Sequence, residues 1–274
     1  IVFPTETKHQ QCRDLFYHGD SGFLDRENRC LTLGVGQKCD FVTYLNACSY
    51  RKWKKYAKVG QATLCLEVSG SVQICYLGYH KDMAMIVRNE FKLTMDTNVG
   101  RRTIKFVFPE NDEEMIGFEI TALEQSVLYG GYFTVEIQEK QINDICLCIA
   151  TTTCRKEAFI KQNVELLKKE ILASSDNIAE NLYIHVVDNG ETLTTEDING
   201  AHVFLHPNHN TGGSGGFARG MIESLEQNPK ATHVLLMDDD VLILPESIKR
   251  TYHLLKLLDS KYSTSFISGA MLYY

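Results

Sequence analysis

The chain has 274 residues, 44 % of them hydrophobic and 23 % charged, enough apolar material to bury one large core or two ordinary ones. Its formal net charge of −7 excludes nucleic acid as the main partner, because neutralising phosphates needs clustered Lys and Arg. Nine cysteines, an odd number with no CxxC pair, argue against a disulfide scaffold and a structural zinc site, and suggest a reducing, cytoplasmic compartment.

The opening Ile1-Val2-Phe3-Pro4-Thr5 lacks the basic and apolar regions of a signal peptide. No window approaches the roughly 18 apolar residues of a spanning helix, which leaves peripheral membrane contact open. The densest basic run, Arg51-Lys52-Trp53-Lys54-Lys55, reads as a solvated strand end or loop, with contact to acidic lipid or phosphate as the alternative. Leu64–Val68 and Val72–Leu77 flank Ser69-Gly70-Ser71, a hairpin signal. Thr103–Phe108 alternates and stops at Pro109, and Tyr132–Ile137 alternates as well. Short strands at this spacing predict a β-sandwich up to about Gln138.

Gln138–Asn143 is polar and reads as a linker, after which the periodicity changes. Ile145–Ala150 is a continuous apolar run, as in a strand covered on both faces, and Cys146 and Cys148 share one of those faces as small apolar residues. A helical stripe of Ile160, Val164, Leu167 and Ile171 follows. Next come strands at Tyr183–Val187 and His202–Leu205, a helix carrying Phe217, Met221 and Leu225, and a strand at His233–Met237. A third helix opens at Pro245 with Ile248, Tyr252 and Leu255 on one side, and Phe266-Ile267-Ser268 reads as a last strand. Alternating strands and helices predict a parallel sheet, with the His233–Met237 strand beside the first.

Open parallel sheets bind ligands beyond the carboxyl ends of their strands. Four clusters fall at such ends. Thr151-Thr152-Thr153-Cys154-Arg155 offers hydroxyls that either cap the next helix or meet a ligand, and Arg155 suits a diphosphate. Asp188-Asn189-Gly190 is a turn signal whose carboxylate is also placed for a base N–H or a ribose hydroxyl. Asn208-His209-Asn210-Thr211 leads into Gly212-Gly213-Ser214-Gly215-Gly216-Phe217-Ala218-Arg219-Gly220, a glycine loop ahead of a helix whose amino end favours an anion, with Arg219 about one turn in. The missing Gly-Lys-Ser/Thr excludes the phosphate loop of nucleotide hydrolases. Asp238-Asp239-Asp240 follows a buried strand, where adjacent carboxylates repel unless a cation compensates. Asp238 and Asp240 share one side if the strand geometry continues, which suits Mg²⁺ or Mn²⁺, and Asp239 takes the other. His202, His206 and His209 match no standard zinc spacing.

The acidic triplet resembles the DXD motif of GT-A glycosyltransferases, and the order of the four clusters is similar to that of glycosyltransferase family 2. More narrowly, the glycine loop resembles that of bacterial galactofuranosyltransferase-like enzymes, which carry an N-terminal β-sandwich. Phe41–Asn46 followed by Lys52–Tyr56 resembles a stretch of that sandwich. The resemblance implies an α+β two-domain chain: a β-sandwich over residues 1–140, then the N-terminal part of an α/β, Rossmann-like GT-A nucleotide-sugar-binding domain over 141–274. It implies a UDP-sugar donor such as UDP-galactofuranose, and a glycan or lipid-linked glycan acceptor. The setting would be cell-surface glycan synthesis in the cytoplasm or at the inner face of the membrane, and homo-oligomerisation stays open. Mn²⁺ or Mg²⁺ would sit on Asp238 and Asp240. Thr151, Arg155, Asp188, Asn208, Gly213, Gly216, Arg219 and Asp239 would hold the donor. The catalytic base is expected beyond Tyr274, so the chain would lack the acceptor half. Two other readings stay open: a nucleotidyltransferase that makes nucleotide-sugars, although its basic glycine loop belongs at the first strand end, and a non-catalytic glycan- or nucleotide-binding fragment.

Overall fold

The computed structural model describes residues 1–4, 12–20, 22–80, 85–89, 100–109, 112–138, 142–198 and 200–271. Its contacts divide the chain into two units, Ile1–Lys140 with Leu258–Tyr274, and Gln141–Leu257. The residues after Leu257 thus group with the first unit and not with the second domain expected over 141–274. Of the expected linker Gln138–Asn143, Glu139, Lys140 and Gln141 lie outside the described residues.

The first unit runs β1 (His18–Gly19), β2 (Phe23–Asp25), β3 (Cys30–Leu33), β4 (Lys38–Asp40), α1 (Tyr50–Ala57), β5 (Ala62–Ser69), β6 (Val72–His80), β7 (Met85–Asn89), β8 (Arg102–Val107), β9 (Met115–Ala122) and β10 (Ser126–Val135). These strands form two five-stranded sheets, β1-β4-β9-β6-β7 and β2-β3-β10-β5-β8. Neighbours pair antiparallel throughout. In β8 the buried residues Ile104 and Phe106 alternate with exposed ones, the mark of a sheet with one face in the core. The sheets meet through aromatic rings: Tyr76 of β6 packs edge-on against Phe108, just past β8, at 5.2 Å between centroids.

Two sequence expectations change here. β5 and β6 are not a hairpin, because they lie in different sheets, and the Ser69–Ser71 turn carries the chain from one sheet to the other. Gly70 makes that corner at φ +84°, a backbone state open to glycine at little cost. The basic run Arg51–Lys55 is helical, inside α1, rather than a strand end or loop. Tyr50 and Ala57 are the buried residues of α1, so one short stripe is enough to fix a helix that is polar elsewhere.

The second unit runs β11 (Leu147–Thr153), α2 (Glu157–Leu167, continued by a π turn over Lys168–Leu172), α3 (Ile178–Asn181), β12 (Leu182–Asp188), α4 (Thr195–Ile198), β13 (Val203–Pro207), α5 (Gly212–Glu226), β14 (His233–Asp238) and α6 (Pro245–Leu257). The strands form one sheet in the order β13-β12-β11-β14, every pair parallel. Ile160, Val164, Leu167 and Ile171 are buried, as are Ile248, Tyr252 and Leu255. Cys146 and Cys148 pack with Ala231, and burial pushes the Cys148 thiol up to about 12.

Helix α5 departs from its expected stripe. Its buried residues are Gly216, Gly220 and Ser224, while Met221 and Leu225 are exposed. The reason is close approach: a Cβ on Gly220 would lie 2.8 Å from the Ala150 Cβ. A helix that meets a sheet backbone to backbone does so through its smallest residues, whatever its apolar periodicity. Phe266–Ser268 forms no strand, and Phe266 is fully exposed. Among the described residues no disulfide is formed, and no helix is long and apolar enough to cross a membrane.

Candidate functional site

Because β11, β12 and β14 are parallel neighbours, their carboxyl ends share one edge of the sheet. The register sets Thr153 beside Asp188 and Thr152 beside Asp238. The threonines are the last three residues of β11. None of their hydroxyls caps α2, whose N-cap position is Lys156. Thr152 faces α5, and its hydroxyl donates to the Val187 carbonyl at 3.3 Å. Thr151 and Thr153, on the opposite face by strand alternation, are buried, and their hydroxyls have no hydrogen-bond partner among the described residues. The chain then turns at Cys154–Lys156. Arg155 is exposed and holds φ +56°, a left-handed conformation that costs a non-glycine residue about 1–2 kcal/mol.

Asp188 is buried and already engaged. Its carboxylate accepts the backbone N–H groups of Gly190 (2.9 Å), Thr192 (2.7 Å) and Leu193 (2.8 Å). It therefore builds the loop after β12, and any contact with a base or ribose would be shared with those amides. Asn189 links this loop to α5: its side-chain amide donates to the Gly212 carbonyl at 3.0 Å and accepts from Asn208 at 2.7 Å.

The glycines expected as a loop are helical from Gly212 onward, so the loop ends at Thr211. Gly212 opens α5 at φ +72°, and its N–H is held by the Asn210 side chain at 3.0 Å. Gly213 is exposed, with open space where a Cβ would stand, whereas a Cβ on Gly216 would be 2.7 Å from the Thr152 Cβ. Arg219 sits about two turns into the helix, at 3.6 residues per turn, rather than one. Its guanidinium grips Glu223, with Nε 2.6 Å from Oε1.

After β14 the acidic residues alternate in exposure: Asp238 and Asp240 are exposed and Asp239 is buried. The side chain of Asn163 on α2 fixes this turn by donating to the backbone carbonyls of Asp239 (2.9 Å) and Val241 (3.1 Å). Lys156 places its ammonium 2.6 Å from Asp240 Oδ2 and 3.4 Å from Asp239 Oδ1. That ammonium holds the Asp240 carboxyl below the usual carboxylate range. Among the described residues no group of three or more His, Cys, Asp or Glu is gathered as a metal cage.

The structure thus brings the four clusters to one edge and adds residues the sequence reading passed over. Asn163 interrupts the apolar stripe of α2, and a buried polar side chain at a core position is a readable signal. Lys156 gives no such signal, because its partner lies 84 residues away in the chain. His185, inside the apolar run of β12, was also missed. It is buried, with Nε2 2.7 Å from Gln227 Oε1 and Nδ1 3.0 Å from His206 Nε2. Of the histidines weighed for zinc, His202 stacks on Tyr183, and His209 stands exposed beside Glu191.

The family model described as "Galactofuranosyltransferase 2 N-terminal" matches residues 1–135. Galactofuranosyltransferase GlfT2 of Mycobacterium tuberculosis is 25 % identical over 231 residues, covering 80 % of this chain and 35 % of that protein. GlfT2 of Mycolicibacterium smegmatis is 22 % identical over 233 residues, covering 80 % of this chain and 34 % of its own length. The chain therefore spans about a third of the length of these relatives. Alignments of this length must run past residue 135 into the α/β unit, so the likeness to galactofuranosyltransferases takes in both halves of the chain.

Proposed function

We propose that this chain carries the donor-binding part of a metal-dependent glycosyltransferase of the galactofuranosyltransferase kind, with a GT-A domain in its α/β unit and a UDP-sugar, such as UDP-galactofuranose, as donor. The observation that carries this reading is the meeting of a threonine strand end, a glycine-opened helix and an acidic turn at one edge of a parallel sheet. The likeness to GlfT2 supports the sugar chemistry. The acceptor would be a glycan or lipid-linked glycan of the cell surface, reached from the cytoplasmic side.

The residues present suit a hard divalent cation. Asp238 and Asp240 offer exposed carboxylate oxygens, and the turn already attracts a cation in the form of the Lys156 ammonium. When bound there, Mn²⁺ or Mg²⁺ would supply charge neutralisation for the departing diphosphate. The chain's own groups do the rest. The amino end of α5 directs first-turn N–H groups and a positive dipole toward an anion. Gly213 leaves its backbone open to close approach. Thr151 and Thr153 keep unspent hydroxyls, and Arg155 is exposed at the same edge. Arg219 can join only by leaving Glu223. A nucleotidyltransferase reading is less well supported, because the first strand ends in buried threonines and not in a basic glycine loop.

The test is calorimetric titration of UDP into the protein with Mn²⁺ or with EDTA, against GDP, CTP and NAD. UDP should bind best and only with metal, and Asp240→Asn should weaken Mn²⁺ binding at least tenfold. Equal UDP affinity in EDTA would remove the metal from this reading.

A further inference from the structure

Lys156 occupies the N-cap position of α2, yet its side chain makes no cap hydrogen bond. Its ammonium reaches across the sheet edge to the turn after β14, touching Asp240 closely and Asp239 more loosely. Stability alone is a weak reason for this pair. Both Lys156 and Asp240 are nearly half exposed, and exposed ion pairs contribute little because water solvates each partner well. The position of the ammonium is more telling. It sits on one of the two exposed carboxylates that the metal reading requires, and it arrives from the first strand end of the same site.

We propose that Lys156 is a tethered counter-cation, which occupies Asp240 in the empty site and is displaced when a divalent cation binds. This rests on the metal reading given above. An ammonium and a dication held on the same carboxylate repel each other, so binding of one disfavours the other. In the empty site the lysine relieves the repulsion among three neighbouring carboxylates and holds the turn ready, at the expense of metal affinity. The apparent affinity for the cation falls by the fraction of molecules in which the pair is formed.

The probe is Mn²⁺ alone, without nucleotide, followed by electron paramagnetic resonance of the free ion on the full 274-residue chain. Lys156→Gln removes the charge and nearly keeps the length. It should bind Mn²⁺ about three- to fivefold more tightly than the parent, the upper part of the range expected for loss of an exposed competing pair. Lys156→Arg keeps the charge and should stay within about twofold of the parent. Asp240→Asn should lose most binding in either background. Thermal unfolding without metal reports whether each variant is folded. If Lys156→Gln matches the parent while Asp240→Asn loses binding, the counter-cation role is overturned and the metal reading stands. If Lys156→Arg gains as much as Lys156→Gln, charge is not the cause and the proposal also falls. If the parent and Lys156→Gln both bind no Mn²⁺, the metal reading itself is wrong.

Discussion

Gly213 and Gly216 stand three residues apart in α5 under opposite constraints. A Cβ on Gly216 would press into Thr152 on β11, while one on Gly213 meets nothing within 4 Å. Gly216→Ala should therefore destabilise the protein by about 1–3 kcal/mol, the usual cost of overpacking, read as a lower denaturation midpoint. Gly213→Ala should leave stability unchanged or raise it by about 0.4–1 kcal/mol, because a glycine's unfolded-state freedom is removed at no steric cost. If the helix start receives a diphosphate, the same Gly213→Ala change should weaken UDP binding measured with Mn²⁺. A variant that gains stability and keeps full UDP affinity would show that nothing approaches the backbone there. Cysteine chemistry belongs to this scale too. Cys154 is exposed, whereas burial pushes Cys148 and Cys39 up to about 12. A limiting alkylating agent should label Cys154 and leave those two intact, as peptide mass mapping would reveal.

At the scale of elements, β12, β13 and α5 are tied together by a chain of polar side chains. Gln227 donates to the Pro229 carbonyl at 2.8 Å, so its oxygen faces His185 Nε2, which must carry the proton. His185 Nδ1 then accepts from His206 Nε2, and His206 turns Nδ1 toward Glu223 at 3.6 Å. Burial lowers the proton affinity of both rings. A histidine whose folded-state pKa is depressed contributes stability that is present above the unfolded value, about 6.5, and lost as pH falls through the folded value. Calorimetric melting should therefore show a decline from pH 7 toward pH 5 that is shallower in His185→Gln. Equal slopes would mean that His185 is not the group being protonated.

Much of this scale was legible in the sequence. The helical stripes of α2 and α6 and the apolar runs of β11 and β12 were plain, because burial imposes a period on residues close in the chain. Other features had no local signal. Whether β5 and β6 pair depends on which sheet each joins, and the Gly70 turn is compatible with either outcome. The threonine hydroxyls read equally well as caps of the next helix, but β-branching also suits a strand end, and pairing with β12 keeps them in the sheet. The α5 stripe misled because apolar periodicity finds large side chains, while this contact is made by glycines. At the site, the Asp188 carboxylate turned out to be held by three amides of its own loop, which only the folded turn reveals. The Lys156–Asp240 pair was hidden by its separation in the chain.

At the scale of the molecule, the α/β unit ends its sheet in β14, which among the described residues pairs only with β11. Among the described residues one side of that strand has no neighbour in the sheet, and Leu236 on the strand is half exposed. Proteins guard such margins with charge, proline or a bulge, and the stretch from His233 to Met237 has none of the three. The margin is therefore open to pairing, and self-association should rise with concentration despite the net charge of −7. Sedimentation velocity across a dilution series should show reversible growth in particle size, which Leu236→Lys suppresses without lowering the melting temperature. A parent that stays monodisperse at every concentration would show that the margin is already protected in solution. If the growth is seen, β14 has two vocations at once: its last residue opens the acidic turn, and its flank recruits whatever strand comes to hand. Crowding would then set how much of the protein is available to meet the proposed sugar-nucleotide donor.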